Sequence, residues 1–183
     1  MSEKQKREWD DSLCVTSLVY LLLAIECFIL KQPLLMVLTF LTWICSSLYH
    51  RNKEECKKCM LCDSFFATTC FVIAFWAIFL NIFKWRWDFF LYFSIIFTPI
   101  ALFLNMKSGR GETDNLKHYE LYHNIWHIVS GVGFGVVIYY FHLKLPHSLE
   151  KMVLDNLKYV LPSFMIVPLV VCYMIKKQKM WLH

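Results

Sequence analysis

Six apolar runs, at about 12–30, 33–50, 60–82, 88–105, 119–141 and 159–175, leave this chain of 183 residues few folds to choose from. A membrane-crossing helix takes roughly 20 residues, with about 17–25 tolerated, and each run meets or approaches that length. Inside hydrocarbon the backbone must satisfy its own hydrogen bonds, so only helices and closed barrels survive. A barrel strand alternates over segments of about ten residues, and these runs do not alternate. The expected architecture is therefore all-α: a polytopic transmembrane helix bundle of about six spans, forming a single domain over residues 1–183. Composition agrees, with 58% hydrophobic and 18% charged residues, the latter below the roughly 25% of a soluble domain. That balance excludes a disordered chain and a basic nucleic-acid module. Lys4, Lys6 and Arg7 precede the first run, which holds no small-x-small cleavage site, so it reads as an uncleaved anchor.

The connections are short and polar. Lys31-Gln32-Pro33 predicts a tight turn, residues 106–118 read as the most polar loop, and residues 142–158 as a mixed connection. With six spans, the side holding the N-terminus also holds 51–59, 106–118 and the C-terminal tail. That side carries thirteen Lys and Arg, the other six. The positive-inside rule then places both termini in the cytoplasm. Nothing in the sequence names the organelle, and self-association is compatible with it.

Ionisable residues inside spans are costly and signal function. Here they are Glu26, His50, Asp63, His123 and His127, with Ser46 and Ser47 as weaker members. His50 ends the second span, Asp63 begins the third, and His123 and His127 lie in the first turns of the fifth. Three helices thus deliver three His and one Asp to one depth of the membrane. Ser46 and His50 are spaced i, i+4, as are His123 and His127, so each pair shares a helix face. Three neutral imidazoles leave one position open on a tetrahedral Zn²⁺, the pattern of catalytic zinc. Such an ion lowers the pKa of water to about 7, Asp63 is placed to take a proton, and Ser46 to bond a developing oxyanion. The chemistry this suits is hydrolysis of an acyl bond in a membrane lipid. Taken singly, each residue has a plainer use: an interfacial His, an N-capping Asp63, a small packing Ser46.

The ordered pieces Ser46-x3-His50, Asp63 and His123-x3-His127, in the strings SSLYH and HNIWHIVSG, resemble the CREST superfamily of membrane hydrolases. That group includes alkaline ceramidases, adiponectin/progestin receptors, GPI-lipid remodelling proteins, and myomaker-like and SID-type proteins. The resemblance covers roughly residues 12–141. It implies His50, His123 and His127 as Zn²⁺ ligands, Asp63 and Ser46 as catalytic residues with Ser47 as a second candidate, and a lipid amide or ester as substrate. The alternatives are a receptor or a membrane-remodelling or fusion protein with structural zinc and, further off, a haem or proton-relay protein. Family members usually have seven spans with His-x3-His in the last. Here one clear span, where the family has three, separates the third span from the His-x3-His helix, and a sixth follows it. Loss of a helical hairpin keeps the ligands on the same side and implies a smaller substrate cavity.

Four other features stand out. Cys56, Cys59 and Cys62 abut Asp63 and suit either a second metal site or juxtamembrane palmitoylation; the eight Cys do not read as a disulfide framework. Glu120 shares a face with His123 and His127, as a partner of a ligand imidazole or as a solvated residue of the first turn. Gly131-x3-Gly135 permits close helix packing. Glu26 stands alone near the opposite side.

Overall fold

The computed structural model describes residues 8–52, 56–83, 89–114, 116–144 and 149–158, with Pro162 and Leu169. Among these residues all regular structure is α-helical: α1 (Ser12–Thr16), α2 (Leu18–Ile29), α3 (Pro33–Arg51), α4 (Lys57–Phe83), α5 (Phe89–Asp114), α6 (Leu116–Lys144) and α7 (Leu149–Asp155). Four segments are long and apolar enough to cross a membrane: Ser12–Ile29, Pro33–Arg51, Lys58–Phe79 and Lys117–Leu143. Within α5, Tyr92–Ser108 is a shorter apolar stretch. The chain is a membrane protein built as an all-α bundle. The sixth expected run, 159–175, lies outside the described residues apart from Pro162 and Leu169.

Two expectations are corrected. Residues 106–118 are not a loop, because α5 continues to Asp114 and α6 begins at Leu116. Charge keeps a segment out of lipid but does not end a helix, and Lys, Arg and Glu are good helix formers. Similarly, 142–158 contains the end of α6 and the short α7.

The helices turn large apolar side chains outward and also into the core, where Phe90, Ile138, Phe141 and Leu149 are almost fully buried, and place their few hydroxyls inward among them. On α2, Leu18, Leu22, Ile25 and Ile29 are exposed, while Tyr20, Leu23, Ala24 and Cys27 are buried. On α3 the buried stripe is Leu35, Thr39, Thr42, Ser46, Tyr49 and His50, at helical three- and four-residue spacing. Thr39 and Thr42 donate their hydroxyl hydrogens to the carbonyls of Leu35 and Leu38, at 2.8 and 2.9 Å. Their polarity is thereby satisfied within the helix, which makes an inward hydroxyl stripe tolerable in lipid.

Between α1 and α2 the helix breaks at Ser17. Its hydroxyl donates to the Cys14 carbonyl at 2.7 Å and bonds the Ser47 hydroxyl of α3 at 2.7 Å. Just upstream, the Arg51 guanidinium stacks 4.2 Å from the Trp9 ring, fastening the N-terminal segment to the end of α3.

At the other end of the bundle α2 closes in a Schellman turn. The amide of Gln32 donates to the Cys27 carbonyl and that of Lys31 to the Phe28 carbonyl, at 2.9 and 3.1 Å, with Lys31 at φ 55°. Pro33 then opens α3. Its free amides are capped from α7: Glu150 Oε2 accepts from Leu34 N at 2.8 Å and Leu35 N at 3.4 Å. In return the Glu150 amide donates to Gln32 Oε1 at 3.3 Å.

The α2–α6 seam sets the whole arrangement. A Cβ on Gly131 would collide with the Val19 side chain, and one on Gly135 would lie 2.9 Å from Glu26 Oε2 and 3.0 Å from Leu23 Cδ2. Residues rise together along both helices, so α2 and α6 run parallel and their starts lie at the same end. Glu26 accordingly sits in this seam, its carboxylate against Gly135. Replacing Gly131 with Leu should lower stability by about 1–3 kcal/mol, the usual range for overpacking. Equilibrium unfolding of the detergent-solubilised protein measures it, and no loss would mean the seam is looser than described.

Candidate metal centre

At the end of the bundle where α1, α4 and α6 begin and α3 and the apolar part of α5 finish, three imidazoles meet. His50 enters from the last turn of α3, His123 and His127 from one face of α6. His50 and His127 are fully buried and His123 is half-buried. His50 Nε2 and His123 Nε2 are 3.2 Å apart. Ring centroids are separated by 4.8 Å for His50–His123, 5.1 Å for His50–His127 and 4.5 Å for His123–His127. One nitrogen from each residue lies within 4.8 Å of the others, so the group could hold a metal ion.

The outward nitrogens are held by hydroxyls. Ser108 Oγ of α5 is 2.6 Å from His123 Nδ1, and Thr16 Oγ1 of α1 is 3.2 Å from His127 Nδ1. His127 Nε2, by contrast, is buried and has no hydrogen-bond partner among the described residues. A fully buried ring nitrogen without a partner costs free energy unless something occupies its lone pair. A metal ion bound by the three inward nitrogens removes that cost, so the residues fit a metal. Aromatic rings wall the group. Tyr20 packs edge-on to His127 at 5.7 Å, Tyr49 lies 5.2 Å from His50, and Trp126 touches both His123 and His127 at 5.2 and 5.3 Å.

The two serine candidates separate. The Ser47 hydroxyl is committed to Ser17. Ser46 is fully buried, and its hydroxyl has no hydrogen bond of good geometry. The Asp63 carboxyl of α4 engages Ser46. Asp63 is not in the group of three ligand atoms, nor is Glu120. Asp63 joins the site through Ser46, which shares its helix face with His50.

Of the three clustered cysteines, Cys56 and Cys59 are joined as a disulfide, while Cys62 is free and exposed. The Cys59 amide also donates to Cys56 Sγ at 3.2 Å, in the opening turn of α4. Two of the three thiols are therefore taken from any metal site.

Sequence reasoning missed Ser108, Thr16 and Asn124. Ser108 fell within the polar stretch 106–118, where a serine carries no signal. Asn124 stands between the two ligands of α6, inside a span where an amide is out of place, and that was the available clue.

No family model, no curated protein and no solved structure matches the chain.

If the three His form a metal site, His127→Ala should abolish stoichiometric metal binding by the purified protein, and Glu120→Gln should leave it intact. Elemental analysis after dialysis against metal-free buffer reads both, and equal metal content in wild type and His127→Ala would refute the site.

Proposed function

We propose that this protein is a zinc-dependent integral membrane hydrolase that cleaves an amide or ester bond in a lipid. The observation that carries the reading is the ligand set: among the described residues it contains three inward nitrogens and no fourth side chain. Three neutral imidazoles with an open fourth position are the habit of catalytic zinc, whereas structural sites are closed by four. One pair already has the spacing of that ion, and the set as a whole, within 4.8 Å, must draw in to hold it. Nitrogens about 2.0–2.1 Å from a tetrahedral zinc lie roughly 3.3 Å apart, and His50 and His123 present theirs at 3.2 Å.

When bound, zinc supplies Lewis-acid polarisation of a carbonyl and a water acidified to a pKa of about 7. The chain's own groups supply the rest. The His50, His123 and His127 rings orient the site, Asp63 accepts and returns a proton, and the Ser46 hydroxyl donates to the developing oxyanion. A buried hydroxyl whose contact, to Asp63, falls short of a well-formed hydrogen bond has little to give up in making that donation. The walls of Tyr20, Tyr49 and Trp126 exclude bulk water and suit a substrate arriving from the bilayer.

The Lys and Arg bias puts this end of the bundle in the cytoplasm, whereas a lasting disulfide at the same end is more usual outside it. A single cysteine introduced as Asn52→Cys, with the native free cysteines replaced, decides between them. An impermeant maleimide applied to intact cells should label it only after permeabilisation if the end is cytoplasmic, and labelling without permeabilisation would reverse the orientation.

The function itself is tested with purified protein reconstituted in lipid and a panel of amide- and ester-linked lipids. Chelation should abolish hydrolysis and zinc should restore it. Asp63→Asn should lower kcat by about 10²–10⁴-fold, the usual range for a general base, with zinc content unchanged. Stoichiometric zinc with no hydrolysis of any lipid would instead favour a non-enzymatic membrane protein with a structural ion.

A further inference from the structure

The polar chain that reaches His127 from outside fixes where its proton sits. Asn124 Nδ2 donates to Ser12 Oγ at 2.9 Å, which turns Asn124 Oδ1 toward Thr16. Thr16 Oγ1 donates to that Oδ1 at 2.7 Å. A threonine hydroxyl has one hydrogen and two lone pairs, and an amide oxygen only accepts. The other group within reach of the Thr16 hydrogen is the Leu13 carbonyl at 3.4 Å, again an acceptor. When the hydrogen goes to Asn124 Oδ1, the shortest of the three contacts, Thr16 Oγ1 accepts at its 3.2 Å contact with His127 Nδ1. That arrangement puts the His127 hydrogen on Nδ1 and leaves Nε2, the buried atom with no partner among the described residues, as a bare lone pair.

We infer that Ser12, Asn124 and Thr16 form a relay that locks His127 in the Nδ1–H tautomer and so prepares Nε2 for the metal. Thr16 and Asn124 are positioning residues acting through His127. The inference rests on the zinc reading above for its purpose, but the tautomer itself does not depend on a metal. It also assigns work to α1. Ser17 breaks the first span, and the five-residue helix before it carries both Ser12 and Thr16 to α6.

Two measurements test the relay. The first is nitrogen NMR of histidine-labelled, metal-free protein at mildly alkaline pH, with His127→Gln to assign the signal. His127 should show a protonated Nδ1 and a bare Nε2; the opposite tautomer, or a mixture, overturns the inference. The second is zinc affinity by competition with a chelator. Thr16→Val and Asn124→Leu should each weaken binding by about 10–100-fold, as expected for loss of a group that orients a ligand. Thr16→Ser, which keeps the hydroxyl, should bind within about threefold of wild type. If the wild type binds zinc and Thr16→Val binds equally well, the relay has no role in the site. If the wild type binds no zinc, the functional reading falls, and the NMR result still judges the tautomer. Should Thr16→Val fail to fold, the serine variant and the wild-type NMR carry the test.

Discussion

The contact on which the rest depends is the close, parallel approach of α2 to α6 along Gly131 and Gly135. Lipid offers no hydrophobic drive for one helix to meet another, so packing depth decides which helices associate. Removing two side chains from α6 brings Val19, Leu23 and Glu26 directly onto its backbone. The parallel sense places α1 beside the first turns of α6, within hydrogen-bonding distance of His127. Had the two helices run antiparallel, Thr16 would lie at the far end of the bundle from the imidazoles.

A second constraint follows from the solvent. With apolar side chains both facing lipid and filling the core, the hydroxylated residues of the interior must find their partners inside the protein. Thr39 and Thr42 turn back to their own helix, and Ser17 and Ser47 bond each other. Thr16 and Ser108 then reach the ligand rings. Against this background of satisfied hydroxyls, the two exceptions at the centre, Ser46 Oγ and His127 Nε2, are conspicuous. Both belong to side chains that face the place where three helices converge.

Much of this was legible in the residues. The apolar runs located the long helices to within a few positions except at the end of α5, and Gly131-x3-Gly135 announced a close packing. The three His, set at matched depths on two spans, came together as expected. What could not be read has physical reasons. Hydropathy marks where lipid ends and not where a helix ends, so the continuation of α5 to Asp114 was invisible, and Ser108 with it. Thr16 reaches His127 only because the first span breaks at Ser17 and lies beside α6, facts of tertiary packing that no local pattern encodes. Choosing between Ser46 and Ser47 likewise needed the position of Ser17. Asp63 was read from depth alone as a proton acceptor at the site, and depth does not give the rotation of α4 that sets it beside Ser46.

The cap that Glu150 provides for α3 has a consequence for biogenesis. Its acceptor lies 116 residues beyond the Leu34 amide it serves. At roughly 5–20 residues per second of synthesis, that interval is on the order of 6–23 s. During it α2 and α3 can enter the bilayer as a hairpin, but the amides at the turn have only interfacial water for company. The nascent hairpin is therefore held near the headgroups at that end and is free to adjust its depth. Arrival of α7 exchanges water for carboxylate and sets the register of the hairpin against the later helices.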